Sequence, residues 1–248
     1  MDFTPDPDHA AIADAVDRVC ADFDDTYWAR CDEGHDFPWE FYAAMAAGGW
    51  LGVAIPGEYG GGGRGIAECG IVLNRVAASG AAMNGSSALH LTMFGLNPVV
   101  KFGSDRLKEA FLPRAAAGDL HVAFGVTEPD AGTDTSHIST RAVDDGMGGF
   151  VVRGRKIWTT KALESEVCLL LARTDDVESS DARQRFDGLS LFVVDLDPQH
   201  CDIAPIPKLG RNAVASCEVA YDDLPVEGWR LVGERGRGFQ QLLHGLNP

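Results

Sequence analysis

Two short segments hold the residues whose types and spacing could carry chemistry. The first runs Phe124-Gly125-Val126-Thr127-Glu128-Pro129-Asp130-Ala131-Gly132-Thr133-Asp134. It reads as a strand that ends in a hydroxyl, turns through proline and glycine, and presents a second hydroxyl beside exposed backbone N–H groups. Such a loop can hydrogen-bond the edge of a polar ring and an anionic pyrophosphate together. Its plain structural alternative is a polar hairpin in which Thr127 and Thr133 cap turns. The second segment, Arg155-Lys156-Ile157-Trp158-Thr159-Thr160-Lys161, has strand character. Alternation puts Trp158 and Thr160 on one face, an indole for packing and a hydroxyl for a heteroatom of a bound ring. The alternative is that Trp158 is ordinary core.

A third candidate is weaker. Gly60-Gly61-Gly62-Gly63-Arg64-Gly65 satisfies the dinucleotide pattern G-x-G-x-x-G letter by letter. That chemistry needs a strand before the loop, a helix after it, and an acidic ribose ligand roughly 20 residues on. Here Ile55-Pro56-Gly57-Glu58-Tyr59 precedes it, and Gly80-Ala81 stands where the acid should be. No G-x-S-x-G or P-loop pattern occurs. None of the seven histidines pairs with another at a spacing of three or four, so no metal site is expected. The six cysteines show no CxxC spacing and read as reduced core thiols.

The elements that must position these residues divide the chain into unlike parts. Residues 1–120 carry helical periodicity. Pro7 suits a first helical position after Asp6, with Ile12, Val16, Val19, Cys20 and Phe23 on one face. Pro38 opens a helix holding Phe41 and Met45, stopped by Gly48-Gly49. Ile66 to Ala78 is apolar on most sides and reads as a buried helix. Residues 81–100 read as tightly packed helices, and Ser104 caps a helix from Asp105 to Leu112, with Pro113 near its end. Residues 121–232 then offer strand-length runs at 122–126, 150–152, 167–172, 189–194 and 217–221, with Asp145-Gly146 and Gly148-Gly149 as hairpin punctuation. They predict an antiparallel β-barrel or sandwich. Residues 233–248 begin a further helix with Phe239, Leu242 and Leu243. The expected class is therefore α+β multidomain, an α-helical domain followed by the β domain and the start of a truncated helical domain.

Composition narrows the functions. The 21 Lys+Arg against 37 Asp+Glu give a formal net charge of −16, which repels phosphate backbones and anionic membrane surfaces. No apolar run approaches the roughly 18 residues of a membrane span. The start, Met1-Asp2-Phe3-Thr4-Pro5-Asp6, is acidic where a signal peptide is basic. A cytoplasmic protein without nucleic-acid or membrane partners is expected.

The two chemical segments together resemble the acyl-CoA dehydrogenase family, in which a Thr-Glu-Pro-x-Ala-Gly-Ser/Thr-Asp turn and a later Trp-x-Thr strand cradle FAD. Pro56-Gly57-Glu58-Tyr59-Gly60-Gly61, Lys208-Leu209-Gly210-Arg211 and Leu231 to Phe239 resemble further family signatures. The resemblance implies that the backbone of Phe124 and Val126 and the hydroxyl of Thr127 meet the flavin's pyrimidine edge, and that Gly132 and Thr133 meet the pyrophosphate. It implies that Trp158 shields the flavin, with Thr159 and Thr160 in the same cofactor-binding element and Thr160 near N5. Thr133 and Thr174 would touch the acyl-CoA. Lys161 stands where the family has Asn. FAD, an acyl-CoA substrate, an electron-transfer flavoprotein or similar acceptor, homo- or hetero-oligomeric assembly and a role in fatty-acid β-oxidation follow as expectations.

The family reaction needs a carboxylate base for the α-proton. The resemblance places that glutamate in a third, helical domain beyond Gly245-Leu246-Asn247-Pro248, so no catalytic residue is expected in this chain. Glu58 and Glu128 read as structural. Three functions stay open: an acyl-CoA dehydrogenase whose remaining helices lie elsewhere, a non-catalytic flavin- or acyl-CoA-binding subunit, and a related flavin monooxygenase or nitroalkane-type oxidase.

Overall fold

The computed structural model describes residues 6–176 and 184–246. The acidic start Met1–Pro5 and the closing Asn247-Pro248 lie outside the described residues.

Helices occupy the first half. α1 (Pro7–Cys20) opens as its sequence dictates, Pro7 in the first turn and the Asp6 carboxylate accepting from Asp8 N at 2.8 Å. α2 (Asp25–Gly34) was not expected; Asp24 caps it by accepting from Tyr27 N at 2.9 Å, and only Trp28 and Cys31 are buried. α3 (Trp39–Ala47) follows Pro38 and stops at Gly48. α4 (Ile66–Val76) corrects the reading of a helix buried on most sides. It buries a single stripe, Cys69, Val72 and Val76, and leaves Ile66 about half exposed. A π-helical turn at Ala77–Ala81, broken by non-helical Gly80, joins it to α5 (Ala82–Phe94). α6 (Asn97–Phe102) and α7 (Asp105–Ala117) complete the set. α7 runs past Pro113 rather than ending there, because burial of Leu112, Ala115 and Ala116 offsets the lost N–H bond.

Among the described residues eight strands follow: β1 (Val122–Gly125), β2 (Arg141–Asp144), β3 (Phe150–Thr160), β4 (Val167–Arg173), β5 (Leu189–Asp195), β6 (Cys201–Pro205), β7 (Ser216–Val226) and β8 (Leu231–Val232). They form one sheet in the order β6-β7-β3-β2-β4-β5-β8, with β1 also paired to β4. The expected β domain is present, but it is mixed rather than antiparallel. β1 lies parallel to β4, Val122 opposite Val167, because the β2–β3 hairpin intervenes and the chain re-enters in the same direction. The sheet is not closed: β6 and β8 stand at its two ends. The β2–β3 turn uses the expected residues, Gly146 and Gly148 taking positive φ while Asp145 accepts from Met147 N and Gly149 N.

β4 is buried along nearly its whole length, which explains its unbroken apolar run. Val167, Leu169 and Leu171 pack with Leu112 and Phe111 of α7. Cys168, Leu170 and Ala172 face a second cluster with Phe150, Phe192 and Tyr221 inside the curled sheet. A third cluster lies among α1 to α5. All six cysteines are buried and unpaired. α8 (Gly238–Leu246) docks on β5 through Leu242. Its first residue must be glycine, since a Cβ there would come within 2.4 Å of the Ser190 backbone. Among the described residues, no helix is long and apolar enough to cross a membrane.

Candidate functional site

The loop after β1 is held from beneath. Lys156 of β3 donates to Val126 O at 3.0 Å, and Ile157 N donates to Thr127 O at 2.9 Å. Glu128 and Ala131 close the Pro129-Asp130 turn with reciprocal backbone bonds. The buried Glu128 carboxylate accepts from Lys156 Nζ at 2.8 Å, Ser139 N at 2.8 Å, Ser139 Oγ at 2.7 Å and Thr140 N at 2.9 Å. Burial alone raises this carboxyl, but Lys156, Thr140 and Ser139 outweigh it and hold it at about 2. A carboxylate so committed fixes the loop and is no proton acceptor at neutral pH.

β3 carries a register shift against β7 between Lys156 and Thr159, and Trp158 takes a φ of 61° there. The bulge changes the parity of the strand. Lys156 and Thr159 both turn into the sheet, while Ile157, Trp158 and Thr160 turn outward. Trp158 and Thr160 thus meet on one face with Thr159 turned the other way, as alternation predicts, and the bulge brings Ile157 to the same face.

That face forms a cavity of about 380 Å³ with the end of β1 and the side of α5. Its lining is Phe124, Val126 and Thr127 from β1 and its loop, Ile157, Trp158 and Thr160 from β3, and His90, Leu91 and Phe94 from α5. Five residues expected at a flavin therefore converge: Phe124, Val126, Thr127, Trp158 and Thr160. Thr159 does not; it is buried behind them, its hydroxyl unpartnered. Gly132 and Thr133 sit exposed on the adjoining turn, outside the lining. Thr174 lies at the far end of β4, its hydroxyl within 2.8 Å of Ser190 Oγ and of Asp175 Oδ2. Glu58 is exposed in a short helical turn away from the cavity.

The α5 wall of the site, with His90, was not expected from the sequence. His90 projects from α5 with Nδ1 3.2 Å from Ser86 O, and burial lowers its pKa, so the ring is neutral. The signal was available in the spacing of His90, Leu91 and Phe94 on one helical face. Lys161, just past β3, is fully buried. Its Nζ donates to Ala88 O at 3.2 Å and Thr92 Oγ1 at 3.0 Å, and lies 4.8 Å from the Tyr42 ring centre. Burial pulls this ammonium down to about 7.

The cavity fits a flat ring with a polar edge. Its size falls in the ligand-pocket range. Trp158 stands 55% exposed beside it, an apolar plane in need of a partner. Among the described residues, the Thr127 and Thr160 hydroxyls have no hydrogen-bonding partner of their own, leaving both for a bound ring.

Helices first, a mixed sheet second, and a ring-sized cavity at their seam define the acyl-CoA dehydrogenase type of fold. The chain belongs to the acyl-CoA dehydrogenase family: residues 6–119 match its N-terminal domain and residues 123–224 its middle domain. The acyl-CoA dehydrogenase FadE12 of Mycobacterium tuberculosis is 31% identical over 249 residues, an alignment covering 99% of this chain and 61% of that protein. Among solved structures, a chain of the ChsE4-ChsE5 complex from Mycobacterium tuberculosis is 28% identical, with a TM-score of 0.83 over 100% of this chain and 61% of that one. The glutaryl-coenzyme A dehydrogenase complex with glutaryl-CoA is 27% identical, with a TM-score of 0.86 over 100% of this chain and 62% of that one. The chain thus spans about 61% of the length of the curated relative.

Proposed function

We propose that this chain forms the FAD-cradling part of an acyl-CoA dehydrogenase, acting on an acyl-CoA thioester and passing electrons to an electron-transfer flavoprotein or similar acceptor. The observation that carries the reading is the convergence of Phe124, Val126, Thr127, Trp158 and Thr160 on one cavity. Bound FAD supplies the hydride acceptor. Thr127 and Thr160 offer hydrogen bonds to its polar edge, and Trp158 packs against its face. Gly132 and Thr133, on the neighbouring turn, are assigned to the pyrophosphate, and Thr133 and Thr174 to the CoA arm. No carboxylate among the described residues lines the cavity, so the α-proton base is assigned outside them. The division into 1–120, 121–232 and 233–248, assembly with like or unlike chains, and a place in cytoplasmic fatty-acid β-oxidation belong to the same reading.

Reconstitution with FAD tests it. The protein should turn yellow and release the chromophore on acid precipitation, since neither cradle segment contains a His or Cys that could tether a flavin. Failure to take up FAD overturns the reading, and flavin retained in the acid pellet overturns noncovalent binding.

A further inference from the structure

The α5 wall of the cavity is apolar except at one atom. Leu91 and Phe94 present hydrocarbon, and His90 lines the cavity with them. Its ring tautomer follows from its neighbour. Ser86 O can only accept, so Nδ1, 3.2 Å away, carries the hydrogen. Nε2 on the other side of the ring is then a lone-pair acceptor. With Nδ1 turned back onto its own helix, Nε2 is aimed outward, and among the described residues it has no partner. Phe94, 5.5 Å away between ring centres, limits how far the imidazole can tilt.

We propose that His90 is a specificity-determining residue: its Nε2 accepts a hydrogen bond from a hydroxyl on the acyl group, so this pocket selects hydroxylated acyl-CoA thioesters over plain alkyl ones. The inference rests on the flavin reading, because with a ring on the Trp158–Thr160 side the α5 side is left for the acyl group. The chemistry is that of any partly desolvated acceptor. An alkyl chain packed over Nε2 strips its water and returns nothing, whereas a hydroxyl replaces that water. Pockets built around such an atom reject the analogue that lacks the donor, where a purely apolar pocket tolerates an added hydroxyl.

The test is isothermal titration calorimetry of the FAD-reconstituted protein with hexanoyl-CoA and with the set of hydroxyhexanoyl-CoA isomers carrying one hydroxyl each. At least one isomer should bind about tenfold or more tightly than hexanoyl-CoA, the worth of one hydrogen bond to an otherwise unpaired acceptor. His90→Phe should abolish that preference while hexanoyl-CoA binds as well or better. His90→Gln, which keeps an acceptor oxygen, should restore part of it. No preference for any isomer in the wild type, or a preference that survives His90→Phe, overturns the proposal. Heat of binding is read without reference to the flavin, so repeating the titration without FAD separates the two failures. A hydroxyl preference lost in His90→Phe in a protein that takes no FAD would sink the flavin reading and leave His90 standing.

Discussion

Lys156 Nζ stands 2.8 Å from Glu128 Oε1, both side chains are buried, and the pair joins β3 to the loop that walls the cavity. The lysine gives a further bond to Val126 O, so one ammonium fixes two points of that loop. Removing one partner leaves the other as an uncompensated buried charge, which costs on the order of 3–5 kcal/mol. Glu128→Gln should lower the urea midpoint accordingly and weaken FAD binding, while the double variant Glu128→Gln/Lys156→Met, which removes the buried charge and keeps an acceptor for Ser139 and Thr140, should recover part of the stability. The pH dependence follows from the same carboxyl. Its native value of about 2 lies below the ordinary 4.5, so the unfolded chain protonates first as pH falls. Its stabilisation is complete above about 4.5 and lost between there and 2, and the gap between wild type and Glu128→Gln should close across that window.

The fold was legible wherever burial wrote a period into the chain. α1, α3 and α7 announced themselves through caps and apolar faces, β4 through an unbroken run of Val, Cys, Leu and Ala, and β5 through Leu, Phe and Val around the single Ser190. What escaped was polar or short. α2 is half acidic or polar and buries two residues; β2 and β6 are four- and five-residue strands with charged positions, Arg141, Asp144 and Asp202. No local pattern announces the parallel pairing of β1 with β4, because it depends on where the intervening hairpin lies. At the site, residue types pointed to Thr127, Trp158 and Thr160. Strand periodicity separates Thr159 from Trp158 and Thr160, but it could not show the bulge that turns Ile157 to their face, nor that α5 supplies the opposite wall.

Trp158 and Trp39 are similarly exposed, 55% and 52%, yet only Trp158 faces the cavity. An aromatic packed on a ring contributes about 0.5–1.5 kcal/mol beyond its buried area. Trp158→Ala should therefore weaken FAD binding by roughly 2- to 12-fold with little change in Tm. Trp39→Ala should leave the FAD Kd unchanged. Trp28→Ala, which empties a buried position against Phe41, should instead cost on the order of 3–5 kcal/mol of stability. Equal FAD dissociation constants for folded Trp158→Ala and Trp39→Ala would contradict the assignment.

Lys161 is a buried ammonium offset by two acceptors and the Tyr42 face. Burial lowers it from 10.5 to about 7, with the Glu164 carboxylate acting the other way. Between pH 7 and 10.5 the unfolded chain binds more protons than the native one, so the wild type gains stability as pH rises through that window. Below 7 the cost of burying the charge is felt in full. Lys161→Met removes it without orphaning Thr92, which keeps Tyr42 Oη at 3.1 Å. The variant should exceed the wild type by about 1 kcal/mol or more at pH 6.5, with the lead shrinking by pH 9.5, read from urea midpoints. A lead that is absent or grows with pH would mean that the ammonium is better solvated than its position implies.

The last expectation concerns turnover by these 248 residues alone. Dehydrogenation of an acyl-CoA requires a base at the α-proton, and that term typically contributes 10²–10⁴-fold before positioning is counted. The cavity lining holds no carboxylate among the described residues. Glu128 is held ionised by Lys156, and Glu58 is exposed away from the cavity. His90 is the titratable side chain in the wall, and burial makes it a weaker base than a free imidazole. Expressed by itself and loaded with FAD, the chain should give no dye-linked oxidation of short-, medium- or long-chain acyl-CoAs above a flavin-only blank. Turnover abolished by Glu58→Gln, or by Glu128→Gln in folded protein saturated with FAD, would place the base on a carboxylate that the geometry rules out. Turnover abolished by His90→Gln, with both glutamate variants active, would make the α5 imidazole the proton acceptor and overturn the assignment of that role to a group outside the described residues.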